Sequence, residues 1–357
     1  MFLLGLFIAV ASIPGWTSVS IPAGWAAMSL MLPFVLWREV KWTPLHILLA
    51  IFLAYVAISV LWSTDYWDGA WRLWQFSLLA LAFHLGSTLS SLRSIFAGLA
   101  IGGAISSALA IVQYFGIYPV QQYPLDTPAG LHYNPVFQGM ILALIIIALT
   151  TECMWWYIPA LLPGLWLAQS RGAFAALGLG LVAQWVRHPM LWLLAALGVI
   201  FYTTLALSPA EYERLIYWKA SLANLSWLGN GAGSITDLWI ILPNISPHPL
   251  ESHNDFIQLV FEFSFAAIFP FATFALILWN SQARSWPIVV AFLFLSCFTF
   301  PLFTPIPAFL FALCSGHISR DPNLSWISLA NRRRAFFLQH SLAQPIQSQP
   351  SREAIPT

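Results

Sequence analysis

Charge is what this chain lacks. Of its 357 residues only 8% are Asp, Glu, Lys or Arg, against roughly 25% in an ordinary soluble domain. With 59% hydrophobic residues and a mean hydropathy of +0.77, that scarcity excludes a water-soluble globular protein. Cysteine is nearly absent too. Cys153, Cys297 and Cys314 lie in or beside apolar runs without metal-ligand spacing, which argues for buried thiols rather than a zinc site or a disulfide framework. The net charge is +1, and no basic patch interleaves with exposed aromatics, so nucleic acid is excluded as a partner. HExxH and DxD patterns are missing, and His248 and His253 are poorly spaced as a metal pair, so neither a metal nor a cofactor is expected. No internal repeat of the kind found in many secondary transporters is visible.

Aromatics and long apolar runs are abundant instead: 19 Trp and 27 Phe. A bilayer core needs about 20 apolar residues per helix. The clearest runs are Ile21–Trp37, Leu45–Trp62, Trp71–Gly86, Ser94–Ile117, Met190–Leu207, Phe256–Trp279 and Trp286–Leu302. Shorter or broken ones are Phe2–Ile13, Pro135–Thr150, Met154–Ala168, Gly172–Val186 and Thr304–Gly316. The first has no basic segment before it and reads as a span rather than a cleaved signal. The expected fold class is therefore all-α, a polytopic integral membrane protein with about 12 transmembrane helices. One long loop on the outer face, containing short helices, lies among them.

Placing the N-terminus in the cytoplasm and alternating sides tests that count. Ten of the fourteen Lys and Arg then fall inside: Arg38, Lys41, Arg93, Arg187, Arg284, Arg320, Arg332, Arg333, Arg334 and Arg352. Only Arg72, Arg171, Arg214 and Lys219 fall outside, and orientation alone does not explain them. Residues 1–319 form the membrane domain and 320–357 a polar cytoplasmic tail, mostly disordered, with a surface helix expected near Trp326–Phe337. Two outer connections are long: Tyr118–Asn134 and Ser208–Asp255. The second is apolar enough to fold or to lie on the membrane, and it begins with an amphipathic helix over Pro209–Trp227.

Candidate functional residues collect in these outer segments. "QSRGAF" puts Arg171 at the outer end of a span, either as a snorkelling interfacial side chain or as an anion site beside Gly172. Arg214 and Lys219 share a helical segment that reads as a solvated face or a cationic lining. "GNGAGS" (Gly229–Ser234) is a glycine-rich turn without the Lys of a phosphate loop or the strand–turn–helix of a dinucleotide site. His253 precedes a span whose cap is Asn254 or Asp255; its imidazole is a candidate general base or phosphate ligand. Glu262 follows nine residues later, about 2.5 helical turns into the apolar run. A carboxylate there needs a partner, with an Arg or a His the natural one.

Four stretches together resemble the O-antigen ligase and polymerase superfamily of bacterial envelope enzymes. They are "LWSTDYWDGAWRLWQFSLLAL" (61–81), "HYNPVFQGMILAL" (132–144), "QSRGAF", and "RLIYWKASLANLSWLGNGAGSI" followed by "SHNDFIQLVFEFS". The resemblance covers residues 60–310. It departs at Asn230 inside the glycine turn and at "EFS", where the family pattern ends in glycine, and the outer loop is compact for the family.

The resemblance implies a glycosyl transfer at the periplasmic face of the bacterial inner membrane. The donor would be an undecaprenyl diphosphate-linked glycan, and both termini would be cytoplasmic. In a ligase the acceptor is a lipid A-core hydroxyl, in a polymerase a growing glycan, and in a protein O-oligosaccharyltransferase a protein hydroxyl. Arg171, Arg214 and His253 take the positions of the family's functional Arg and His residues. Lys219, Arg72, Asn134, Asn254 and Glu262 are expected around the substrate. Cations positioned against a diphosphate leaving group are the chemistry such a transfer needs without a metal. A lipid-linked glycan flippase or other transporter, and a non-catalytic scaffold, are the readings from other classes. The clustering of unexplained cations on one face favours the enzyme.

Overall fold

Helix starts in this chain are written by small polar residues followed by Pro or apolar sequence, and the computed structural model follows them. It describes residues 1–11, 17–36, 39, 41–118, 127–132, 134–186, 209–237, 252–279 and 283–320. In chain order the helices are α1 (Phe2–Ala11), α2 (Thr17–Met28), α3 (Leu32–Leu36), α4 (Pro44–Ser59), α5 (Tyr66–Thr88), α6 (Arg93–Tyr114) and α7 (Pro135–Thr151). They continue with α8 (Ile158–Leu167), α9 (Arg171–Ala183), α10 (Pro209–Ala223), α11 (Asp255–Phe263), α12 (Ile268–Trp279), α13 (Trp286–Ser296) and α14 (Pro305–Ile318). Among the described residues there is no β-strand.

The composition is that of a membrane-embedded protein. Pro44–Trp62, Arg93–Tyr114 and Asp255–Trp279 are long and apolar enough to cross a bilayer, and Pro135–Thr151, Arg171–Ala183, Trp286–Ser296 and Pro305–Ile318 are shorter apolar helices. The expected span at Met190–Leu207, residues 238–251 of the long outer loop and the tail from 321 onward, with its expected surface helix, lie outside the described residues.

Three helices, α7, α13 and α14, are buried nearly all round, so their sequences are largely apolar on every face. They form the centre. The pair α5 and α14 packs backbone to backbone: a Cβ at Gly86 would run into the Leu313 carbonyl, and one at Gly316 into the Phe83 carbonyl. Small residues give membrane helices this close approach. The Phe292 and Phe311 rings stack at 4.2 Å between α13 and α14.

Three expected spans are interrupted: Ile21–Trp37 passes through a 3₁₀ turn (Ser29–Met31) between α2 and α3, and the other two break at one end of the bundle. Phe256–Trp279 breaks after α11, where Ser264 takes φ 45° and a 3₁₀ turn (Ser264–Ala267) leads into α12. The helix ends there because its last carbonyls have other donors: Asn230 N–H bonds Phe261 O at 3.0 Å and Gly231 N–H bonds Glu262 O at 3.0 Å. The run Trp286–Leu302 leaves the helix after Ser296. Asn254 Nδ2 then donates to Cys297 O at 3.0 Å and Arg214 Nη1 to Phe298 O at 3.2 Å. Irregular backbone within an apolar bundle survives only where the protein supplies such partners. The long-loop helix α10 stops at Ala223, four residues before the expected end.

Candidate functional site

The four motif stretches begin four helices. Asp65 Oδ1 accepts from Trp67 N at 2.7 Å and starts α5; Asn134 Oδ1 accepts from Val136 N at 2.8 Å and starts α7. Ser170 Oγ accepts from Ala173 N at 3.3 Å and starts α9. Asn254 Oδ1 accepts from Phe256 N and Ile257 N at 3.0 and 3.1 Å and starts α11, which decides the cap in favour of Asn254 over Asp255. Contacts gather these starts at one end. Ser63 Oγ donates to Ala232 O at 2.6 Å. Phe137 on α7 and His253 both set their rings edge-on to Phe300, at 5.3 and 5.1 Å. A Cβ on Gly139 would lie 2.8 Å from the Ser170 Cβ. Other contacts mark the opposite end, among them Ser87 Oγ with His46 Nε2 at 3.3 Å and Arg320 with the Leu89 carbonyl.

The glycine turn is a packing device. Gly229, Gly231 and Gly233 have φ of 76°, 97° and 78°, a region that suits glycine. Side chains there would strike the Glu262 carbonyl, the Ser63 backbone and the Asp68 backbone respectively. Tyr55 Oη and Thr236 Oγ1 hold the flanks, donating to Leu228 O at 2.6 Å and Asp68 Oδ2 at 3.1 Å. The turn therefore joins the α4–α5 junction to the end of α11.

Beneath the turn lies a buried polar chain. Arg72 Nη2 meets Glu262 Oε1 at 3.2 Å, and its guanidinium sits 3.9 Å over the Phe303 ring. Arg72 Nη1 donates to Gln75 Oε1 at 2.9 Å. Glu262 Oε2 accepts from Gly233 N at 3.2 Å, and its Oε1 also accepts from Gln258 Nε2 at 2.9 Å. Gln258 Oε1 in turn accepts from Ser252 N at 3.1 Å. Ser252 O takes the indole N–H of Trp218 at 2.9 Å, and Ser252 Oγ donates to Asn254 O at 2.6 Å.

His253 stands between those two anchored residues, half-buried, at φ 56°. That left-handed conformation is uncommon for a residue with a side chain. It turns the imidazole toward Phe300 and the neighbourhood of Arg214. Burial, and then the Arg214 charge, push its pKa down to about 4. The ring is neutral at physiological pH, with a lone pair to accept a proton.

The remaining candidates divide. Arg214 is half-buried beside His253, and Lys219 is exposed further along α10. Arg171 is exposed at the first position of α9 and forms no ion pair among the described residues, and a Cβ on Gly172 would meet nothing within 4 Å. Asn134 caps its helix at the same end. No direct contact joins Arg171 or Asn134 to His253 among the described residues. Arg72, expected beside the substrate, is instead buried in the ion pair with Glu262, and Asn254 uses both ends of its amide on the protein. The carboxylate of Glu262 meets Arg72 rather than His253, Arg171 or Arg214. Sequence reasoning passed over Gln258, Ser252, Trp218 and Phe300. Gln258 had a signal: with Asp255 and Glu262 it shares one helical face, at i, i+3 and i+7.

No family model, curated protein or solved structure matches this chain.

Proposed function

We propose that this chain is a membrane glycosyltransferase that moves a glycan from an undecaprenyl diphosphate carrier to an acceptor hydroxyl. In this reading it has about twelve spans, sits in a bacterial inner membrane with both termini cytoplasmic, and works at the periplasmic face. The observation that carries the reading is His253. It is a neutral imidazole, held in a left-handed turn, next to Arg214, at the end of the bundle where Arg171 heads a capped helix.

The chemistry follows from those groups. A ring nitrogen of His253 takes the acceptor O–H proton as the oxygen attacks the anomeric carbon. The bond from that carbon to the phosphate oxygen breaks, and the configuration inverts. Negative charge grows on the departing diphosphate, where Arg214 and the fork-shaped guanidinium of Arg171 stabilise it, with Lys219 at the exposed margin. The N-terminus of α9 adds its dipole to the anion side. A depressed pKa favours the base role of His253 over that of a protonated phosphate ligand.

A lipid-linked donor also needs room for its tail. A small, partly open apolar crevice of ≈ 60 Å³ lies between α4, α5, α12 and α14. It is lined by Phe52, Phe76, Phe83, Phe274 and Phe311 and starts one turn along α5 from Arg72. Its apolar chemistry, rather than its size, favours a polyprenyl donor.

The experiment is transfer by purified protein given lipid-linked glycan with or without core lipid. A single capped product that requires core lipid identifies a ligase, and a ladder formed without it a polymerase. Modification of a protein hydroxyl identifies an oligosaccharyltransferase. Translocation of the donor with no bond cleavage overturns the proposal in favour of a flippase.

A further inference from the structure

Gln258 occupies a position that neither arginine nor histidine explains. Its side chain is fully buried on α11, one turn from Glu262 and one turn from the chain entering the helix. The amide can sit only one way. Its oxygen faces a donor, Ser252 N–H at 3.1 Å, and its NH₂ faces an acceptor, Glu262 Oε1 at 2.9 Å. Ser252 immediately precedes His253, whose φ of 56° must be imposed by its surroundings. The Arg72–Glu262 pair, anchored in α5 and the glycine turn, is thereby connected through one side chain to the backbone that aims the imidazole.

We infer that Gln258 is a positioning residue, which transmits the placement of the buried Arg72–Glu262 pair to His253 and so holds the base against the acceptor hydroxyl. This rests on the glycosyl-transfer reading for its consequence, though not for its geometry. The charged groups around the chain among the described residues are Arg72 and Asp68 from α5, Arg214 from α10, and Asp255 and Glu262 on its own helix. A glutamate at this position is isosteric, but it meets Glu262 with a second carboxylate. Two carboxyls in such contact share a proton until the pH is high enough to remove it. With the proton, the pair keeps both hydrogen bonds; without it, the link to Glu262 turns repulsive.

The test uses the full chain in lipid nanodiscs, as wild type, Gln258→Leu and Gln258→Glu, with two measurements. The first is the rate of His253 modification by diethyl pyrocarbonate, read by peptide mass spectrometry, which needs no substrate; His132 and His84 are internal references. The second is transfer kinetics across pH. In Gln258→Leu, His253 labelling should change about tenfold against the references, and kcat should fall roughly 100-fold while the donor KM moves less than about threefold. In Gln258→Glu, kcat should be near wild type at about pH 5 and be lost toward about pH 8, an alkaline limb that wild type lacks. Labelling of His253 unchanged in both variants, with kcat within about twofold of wild type, overturns the inference. So does an equal change at all three histidines, which would report general loosening. If wild type transfers nothing while His253 labelling still follows Gln258, the glycosyl-transfer reading fails and the positioning role stands.

Discussion

Arg72 in α5 and Glu262 in the last turn of α11 are 190 residues apart and meet at 3.2 Å inside an apolar bundle. The pair ties the first motif stretch to the last, and Gly233 bonds the same carboxylate. "WSTD", "GNGAGS" and "SHND…E" are thus parts of one packing unit, which sets the floor on which His253 stands. A buried pair of this kind adds little net stability over apolar residues, but losing one partner strands the other charge.

Glu262→Ala is therefore expected to destabilise by about 3–5 kcal/mol, and Glu262→Gln by a large part of that, because the amide can still accept from Arg72 but leaves its charge uncompensated and turns its NH₂ toward the Gly233 N–H. Arg72→Met combined with Glu262→Leu should be less damaging than the two single losses added together. Thermal unfolding of the detergent-solubilised protein, followed by size-exclusion chromatography, measures all of these. Additive losses would show that the two side chains do not act as a pair.

The pH dependence of transfer reports on His253. Its pKa lies near 4 in the folded chain against an ordinary 6.5, so the base form persists on acidification and is lost only as pH falls through the lower value. The kcat/KM profile for the free enzyme should accordingly keep its activity at about pH 5, where an unperturbed imidazole is mostly protonated. Arg214→Ala removes the cationic neighbour and should move the acid limb upward while lowering the rate. Stability follows the same sign. Between pH 4 and 6.5 the unfolded chain binds the proton and the folded chain does not, so acid destabilises the fold in that window. An acid limb near 6.5 in wild type would contradict the burial of this ring.

Much of this arrangement was legible in the sequence, for a definite reason. Helix starts are local: "TDY", "NP", "SR" and "HND" each carry a cap and a following apolar run, and the starts of α7, α9 and α11 come out within a residue, whereas α5 starts at Tyr66, five residues ahead of the run expected from Trp71. That Arg214 and His253 come together could be read because both lie in one connecting segment between expected spans. What could not be read is who meets whom. Glu262 announced a need for a partner, but Arg72, Arg171 and Arg214 were equivalent candidates until the glycine turn fixed which one lies beneath it. The breaks after Phe263 and Ser296 were hidden for the same reason. Their backbone partners, Asn230, Gly231, Asn254 and Arg214, come from distant segments, and hydropathy sees only an unbroken apolar run.

Arg171 separates a binding role from a merely interfacial one. Arg171→Ala should insert and fold like wild type, since the side chain is exposed, and yet lose transfer by a factor of at least about 100. Arg171→Lys keeps the charge without the fork and should recover little. The measurements are donor turnover and the monodisperse yield of each variant. Transfer by Arg171→Ala at the wild-type rate would remove this residue from the site.

Two glycines give the sharpest contrast between holding the fold and leaving space for a ligand. Gly231 has φ 97°, and a Cβ there would lie 2.8 Å from Ser63 Cα, so Gly231→Ala meets both backbone strain and a collision. It should lower stability by about 1–3 kcal/mol and reduce the folded yield with or without substrate. Gly172 lies in a helix with ordinary backbone angles, and a Cβ there meets nothing within 4 Å. Gly172→Ala should leave the melting temperature unchanged or slightly raised, since alanine favours the helix. If the diphosphate approaches the start of α9 beside Arg171, the added methyl stands in its way, and the donor KM should rise severalfold with the fold intact. Melting curves and donor saturation curves for the two variants decide the matter. A Gly172→Ala protein with wild-type KM would place the diphosphate elsewhere than the α9 N-terminus.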